Sequence, residues 1–176
     1  MAEKVLAAVR TGPSRTEIRE YPMPDIPADA ALMKMEVAGI CGTDVKLYAH
    51  PPNDKPTIMG HENIGYIAKA GREFAARKGL KEGDLVFLEH YLPCMNCEWC
   101  HQGEYRHCEA TDWHTNPNAI RYGYTSADHA PHLWGGFAQY VYLPWNAVER
   151  RTRGNGIPRS WASGATNRSP STARRP

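Results

Sequence analysis

The sequence lacks a long hydrophobic run, since no stretch approaches the roughly 18 apolar residues that a membrane-spanning helix needs. Its opening residues, MAEKVLAAVR, also lack the apolar core and the cleavage pattern of a secretory signal. We therefore expect a cytoplasmic protein with no membrane partner. In a reducing compartment, the five cysteines are expected to be metal ligands or free thiols rather than disulfides.

Internal repeats and long helical periodicity are also missing from the 176 residues. Alternating apolar positions predict short strands instead, in the segments KVLAAVR, TEIREYP, ALMKMEVAGI, ENIGYIAKAG, GDLVFLEHY and GGFAQYVYLP. Many short strands separated by turn residues are typical of an all-β barrel or roll, so we expect a mainly β fold with short helices. Residues 112–133 are polar and aromatic without periodicity, which predicts a surface insertion.

Lysine is absent from residues 149–176, which contain seven Arg and one Glu and so carry a net charge of +6. The segment has few large apolar residues, Ile157 and Trp161, and cannot bury enough surface to offset the entropy of ordering it. We expect disorder there. We interpret the segment as a product of out-of-frame translation, with a genuine basic tail as the alternative. Nucleic-acid binding is not expected, because the basic charge comes without a recognition motif.

Four cysteines are concentrated in residues 93–109, PCMNCEWCHQGEYRHCE. Their spacing is C-x2-C-x2-C-x7-C, formed by Cys94, Cys97, Cys100 and Cys108. Four thiolates this close can surround one ion tetrahedrally and exclude water, which predicts a structural zinc site, with an iron–sulfur cluster as the alternative. The histidines within this lobe, His101 and His107, are expected to face solvent.

A second set of candidate ligands lies in residues 39–62, GICGTDVKLYAHPPNDKPTIMGHE. Cys41 and His61 offer the thiolate and imidazole donors that Zn²⁺ prefers, and a catalytic zinc needs three protein ligands with one open position. Asp44 can accept a hydrogen bond from the far nitrogen of the histidine. Thr43 supplies a hydroxyl and is predicted to cap a short helix. On their spacing, Cys41 and His61 are also compatible with ordinary buried residues.

These motifs together resemble the zinc-dependent medium-chain alcohol dehydrogenases over residues 1–148. The resemblance is carried by GICGTD, GHE twenty residues after the cysteine, GD-x-V before the four-cysteine lobe, and GGFAQY, in that order. It implies a GroES-like catalytic domain with a catalytic and a structural zinc. By position, it implies that Cys41 and His61 are catalytic-zinc ligands, with Glu62 beside the metal as a further ligand. It also implies that Asp44 braces the histidine, that Thr43 relays the substrate's proton, and that the four-cysteine lobe holds the structural zinc.

The chemistry implied by the resemblance is the reversible oxidation of a small-molecule alcohol to an aldehyde or ketone. Zinc would lower the pKa of the bound alcohol, Thr43 would take its proton, and hydride would pass to NAD(P). The glycine pair of residues 154–156 neither follows a strand nor opens a helix, so it is not a dinucleotide fingerprint. We therefore expect that residues 149–176 do not form the family's Rossmann domain. We therefore expect the chain to be inactive by itself. The alternative is a non-catalytic, zinc-stapled module for binding or assembly. Members of the family oligomerise, but the sequence leaves the state of this chain open.

Overall fold

In a computed structural model, which describes residues 3–151, the chain forms eight strands and three short α-helices. In chain order these are β1 (Lys4–Gly12), β2 (Arg15–Pro22), β3 (Ala31–Gly39), α1 (Gly42–Ala49), β4 (Thr57–Ile58), β5 (Glu62–Ala70), α2 (Arg72–Lys78), β6 (Leu85–Leu88), α3 (Glu98–His101), β7 (Tyr140–Leu143) and β8 (Glu149–Arg151). The predicted mainly β fold with short helices is confirmed.

The strands form two antiparallel sheets, one with the order β2-β1-β4 and one with the order β7-β3-β5-β6-β8. Every strand pairing within residues 3–151 is antiparallel, and this part of the chain contains no Rossmann domain. The alternating pattern of β1 turns Val5, Ala7 and Val9 into the core, where each is at most 2% exposed. Within the same residues, no helix is long and apolar enough to cross a membrane.

Residues 112–133 are not the surface insertion that the sequence predicted. Tyr122, Ala127 and Leu133 are fully buried, and the Tyr122 hydroxyl donates a hydrogen bond to the carbonyl of Tyr142 on β7 at 2.8 Å. The prediction was wrong because the buried residues are separated by turn-forming polar residues. Irregular backbone of this kind leaves no period of 2 or 3.6 in the sequence.

The domain continues beyond the boundary predicted at residue 148, because β8 pairs with β6. Glu149 begins this strand, and its carboxylate lies 3.2 Å from the ammonium group of Lys78 at the end of α2. Burial raises the pKa of Glu149, and the charge of Lys78 partly offsets that effect. Disorder was predicted for residues 149–176. Residues 149–151 form β8, and residues 152–176 lie outside the described residues.

The buried position of Tyr122 predicts that residues 112–133 contribute to stability. Replacing Tyr122 with alanine is expected to lower the free energy of unfolding by about 3–5 kcal/mol, because it leaves a cavity in the core. His114→Ala changes an exposed residue of the same segment and is expected to cost less than about 0.5 kcal/mol. Urea unfolding of the two variants measures the difference. Equal stabilities would contradict the placement of Tyr122 in the core.

Candidate metal centres

Cys41 is held in place by the start of α1. It is the N-cap of that helix, so the prediction that Thr43 caps it was wrong. The Cys41 sulfur accepts a hydrogen bond from the backbone N–H of Thr43 at 3.2 Å, and the Asp44 carboxylate accepts one from the backbone N–H of Cys41 at 2.9 Å. This reciprocal capping box is readable in the sequence as C-x-x-D, a cysteine variant of the usual serine or threonine pattern.

His61 meets Cys41 because of the pairing between β3 and β5. In that pairing Gly39 lies opposite Glu62, so the residue just before β5 lies beside the residues that follow β3. The Nε2 atom of His61 is 3.2 Å from the sulfur of Cys41. One carboxylate oxygen of Glu62, the Cys41 sulfur and a ring nitrogen of His61 all lie within 4.8 Å of one another. A thiolate and an imidazole bound to one tetrahedral zinc would lie about 3.6 Å apart, so the two donors would need to separate by a few tenths of an ångström to bind the ion together.

Asp44 connects the helix cap to the histidine. It is 3% exposed, and its second carboxylate oxygen lies 3.4 Å from Nδ1 of His61. This distance is longer than an ideal hydrogen bond, so the interaction is mainly electrostatic. Burial raises the pKa of Asp44, but interactions with His61 and with the backbone of Cys41 outweigh it and lower the pKa overall. The Asp44 carboxylate in turn raises the pKa of His61, against the opposing effect of burial.

Two glycines allow the close approach of the segments around the candidate centre. At Gly39, an added Cβ would overlap the carboxylate of Glu62. Gly60 has a φ of +87°, and an added Cβ there would lie 2.7 Å from the ring of Phe137. A side chain at Gly39 would therefore displace the carboxylate of Glu62, and a side chain at Gly60 would displace the backbone directly before His61.

Two rings that belong to none of the metal-ligand motifs lie next to His61. The ring of Tyr124 lies 5.3 Å from the ring of His61, and the ring of His90 lies 5.4 Å from it. Burial raises the pKa of Tyr124 to about 12, so its hydroxyl stays protonated. His90 was included in the predicted strand GDLVFLEHY, but the observed β6 ends at Leu88, so His90 lies just beyond the strand. Tyr124 lies in the irregular segment, where the sequence gave no signal.

An apolar groove of about 250 Å³ lies beside α1 and includes Tyr48 and Val45 among its lining residues. Trp134 is part of the core and 4% exposed. Trp99 lies on the four-cysteine lobe against His107, and Trp113 packs edge-on against Tyr124.

The four cysteines of residues 93–109 come together as a second candidate centre. The sulfurs of Cys94, Cys97, Cys100 and Cys108 all lie within 4.8 Å of one another, and no disulfide links them. Backbone N–H groups also point at the sulfurs, as in the 3.2 Å hydrogen bond from Cys94 to Cys108. His101 and His107 are exposed, as the sequence predicted. Four sulfur donors in one small cluster suit a closed, tetrahedral structural zinc.

The thiols of the lobe differ in acidity. A hydrogen bond from the backbone of Cys100 lowers the pKa of Cys97 to about 7. Burial raises the pKa of Cys100 to about 12. Cys97 is therefore partly ionised at neutral pH, whereas Cys100 keeps its proton until a cation replaces it.

Comparison with known protein families matches residues 27–152 to the alcohol dehydrogenase GroES-like domain. The chain belongs to this family. The membership predicted from the motifs is confirmed. The match takes in residues 39–62 and the lobe at residues 93–109, which carry the two candidate centres of this GroES-like domain.

Individual relatives are longer than this GroES-like chain. A probable alcohol dehydrogenase of Mycobacterium tuberculosis is 36% identical over 155 residues, which make up 88% of this chain and 41% of the relative. A sorbitol dehydrogenase of Bombyx mori is 39% identical over 107 residues, or 58% of this chain and 30% of the relative. The crystal structure of an alcohol dehydrogenase from Thermotoga maritima superposes with a TM-score of 0.69 at 27% identity, covering 86% of this chain and 41% of that one. The chain thus spans less than half the length of these relatives.

The acidity of the lobe predicts a pH dependence of metal binding. Zinc must displace the proton of Cys100, so the apparent affinity of the lobe is expected to rise at least about tenfold per pH unit between pH 6 and 8. Chelator competition in the Cys41→Ser background measures the lobe separately from the other centre. An affinity that does not change with pH would show that Cys100 does not bind as a thiolate.

The contact between Asp44 and His61 predicts a second effect on metal binding. Asp44→Asn keeps an oxygen to cap α1 but removes the charge facing His61. We expect zinc affinity at the Cys41–His61 centre to fall about 10–100-fold, with the lobe unaffected. Asp54→Asn, at an exposed position, is the matched control. Equal affinities of the two variants in a chelator titration would rule out a role for Asp44 in orienting His61.

Proposed function

We propose that this chain is the metal-binding catalytic domain of an alcohol dehydrogenase-type oxidoreductase. The reaction is the reversible conversion of a small-molecule alcohol to an aldehyde or ketone, with NAD(P) as the hydride carrier. The observation that supports it is the meeting of Cys41, His61 and Glu62 within 4.8 Å, at the junction of two strands and a helix. The names of the relatives, which are dehydrogenases of alcohols and of sorbitol, agree with this reaction class.

The donor sets of the two centres suit zinc ions with different roles, one catalytic and one structural. Cys41, His61 and Glu62 provide three ligands of mixed type, which leaves a fourth position open, whereas the lobe provides four thiolates and closes its site. Cys41, His61 and Glu62 would hold a zinc ion whose Lewis acidity would be available to polarise the oxygen of the substrate. The carboxylate of Glu62 is exposed, so it has room to approach or leave the centre.

Asp44 determines which nitrogen of His61 is free to bind a metal. Its carboxylate faces Nδ1 and favours the tautomer that carries the proton there. The lone pair of Nε2 is then directed towards the sulfur of Cys41, 3.2 Å away. The buried carboxylate thus prepares the histidine for coordination and fixes the plane of its ring.

Thr43 is the group that we propose to accept the proton of the alcohol. It lies two residues after Cys41 in the first turn of α1, and its backbone N–H is bonded to the Cys41 sulfur. Thr43 is exposed, so its hydroxyl can pass a proton on to solvent. A positioned hydroxyl of this kind contributes by general acid–base catalysis.

The hydride acceptor, NAD(P), requires a binding site that residues 3–151 do not form. These residues contain antiparallel sheets and short helices, and not the parallel α/β unit that binds dinucleotides. We therefore propose that the chain does not turn over by itself and that NAD(P) must be supplied by a separate coenzyme-binding domain.

A domain exchange tests the proposed reaction. Residues 1–151 would replace the matching segment of the Mycobacterium tuberculosis relative, and the chimera would be assayed with NAD⁺, NADP⁺ and a panel of alcohols and polyols. We expect oxidation of at least one substrate. Thr43→Val in the chimera is expected to lower kcat about 10²–10⁴-fold, and Thr43→Ser to retain most of it.

The same chimera separates dehydrogenase function from the alternative. A chimera that is folded, holds two zinc ions and oxidises nothing would contradict the proposed reaction. It would favour a non-catalytic module in which zinc stabilises a surface for binding or assembly. A Thr43→Val chimera with unchanged kcat would contradict the role of Thr43 while leaving the dehydrogenase function intact.

A further inference from the structure

Arg121 occupies an unusual position between two aromatic rings. Its guanidinium carbon lies 4.7 Å from the ring centre of Tyr91 and 4.1 Å from that of Trp113. The Nε atom is buried and has no hydrogen-bond partner within residues 3–151. The side chain is half-buried, and partial burial lowers the pKa of Arg121 while the charge of Asp112 opposes that effect. No carboxylate among residues 3–151 forms a direct ion pair with it, so the two ring faces are its nearest charge-stabilising contacts.

Hydrogen bonds also hold the guanidinium group and the backbone of Arg121 in place. The guanidinium donates a hydrogen bond to the backbone carbonyl of Thr111. The backbone N–H of Arg121 donates to the hydroxyl of Thr125 at 2.9 Å, and that hydroxyl donates back to the Arg121 carbonyl at 3.0 Å. A backbone bridge to Tyr91 completes the attachment. Arg121 therefore joins the irregular segment to the residues that follow β6.

Two rows of rings lead from Arg121 to His61. In the first, Tyr91 packs against His90 with ring centres 3.9 Å apart, and His90 lies 5.4 Å from His61. In the second, Trp113 packs edge-on against Tyr124 at 5.2 Å, and Tyr124 lies 5.3 Å from His61. The rings of His90 and Tyr124 are themselves 6.2 Å apart. The two rows thus meet at the same imidazole.

We propose that Arg121 is a positioning residue, which clamps Tyr91 and Trp113 so that His90 and Tyr124 hold the ring of His61 in the orientation that binds the metal. The inference rests on the proposed function, in which His61 is a ligand.

A planar cation is well suited to this position. A guanidinium can stack on two ring faces and still reach a carbonyl with an N–H at its edge, whereas an ammonium group offers a compact charge that is strongly hydrated. An apolar side chain of similar length would fill the space but would lose both the hydrogen bond to Thr111 and the attraction to the rings. Arginine therefore fixes the spacing of the two rows in a way that neither lysine nor methionine reproduces.

The test uses the 176-residue chain loaded with zinc, in which cobalt(II) then replaces the more weakly held ion. Arg121→Met is expected to weaken cobalt binding at the Cys41–His61 centre about 3–10-fold. This effect is smaller than the 10–100-fold typical of residues that contact a ligand directly. The d–d absorption bands of cobalt are expected to shift, because the donor geometry changes. Arg121→Lys is expected to give an intermediate result.

A second variant keeps the test decisive if the first folds poorly. Trp113 is 42% exposed, so Trp113→Leu interrupts one row of rings with little cost to the core, and its effect on cobalt is expected to have the same direction. Arg106→Met is the matched control, since Arg106 is an exposed arginine of the lobe whose Nε lies 3.6 Å from Glu104. A cooperative urea unfolding transition reports folding in every sample, and zinc retained in the four-cysteine lobe reports that the lobe is intact.

The outcomes distinguish this inference from the function on which it rests. Folded Arg121→Met and Trp113→Leu chains whose cobalt affinity and absorption bands match the control would overturn the positioning role. An unsubstituted chain that binds metal in the lobe and nowhere else would overturn the proposed function and this inference with it. Weakened binding with shifted bands in both variants, and neither change in Arg106→Met, supports the proposal.

Discussion

The antiparallel pairing of β3 with β5 is the constraint on which the candidate Cys41–His61 centre depends. Because Gly39 lies opposite Glu62, the end of β3 and the start of β5 are neighbours at one edge of the sheet. Cys41 comes two residues after the end of β3, and His61 comes one residue before β5. The sulfur of Cys41 and the Nε2 atom of His61, which are twenty residues apart in the sequence, therefore lie 3.2 Å apart. The separation of the two ligands is thus set by the pairing of two strands in a sheet, and not by the loops between the ligands.

The same side chains serve the fold and the centre. Asp44 satisfies a backbone group at the start of α1 with one oxygen and faces His61 with the other. The cysteine that offers a thiolate to a metal is also the N-cap of the helix. A substitution at either position would therefore change local folding and the donor geometry together. This sharing explains how a short helix of eight residues, which is marginal in isolation, is tied firmly to the sheet.

The irregular segment after the lobe connects the core with the candidate centre. Tyr122 and Leu133 are buried in it, while Tyr124, between them in sequence, packs against His61. Arg121 holds the outer side of the segment through ring contacts. The two candidate centres also differ in kind. The lobe is built from cysteines close in sequence and is largely local, whereas the Cys41–His61 centre requires that distant strands pair first.

The sequence by itself determined the family, the mainly β fold and the four-cysteine lobe, because alternating apolar residues and closely spaced thiols are local signals. It also named Cys41, Asp44, His61 and Glu62 as a group, through motifs whose meaning comes from the family. The tertiary structure decided three features that no local pattern records. Cys41 caps α1, and residues 112–133 contribute side chains to the core. Arg121 lies between the two aromatic rings from which the two rows lead to His61. These contacts join residues without periodic spacing, so they exist only once the sheets bring separate segments together.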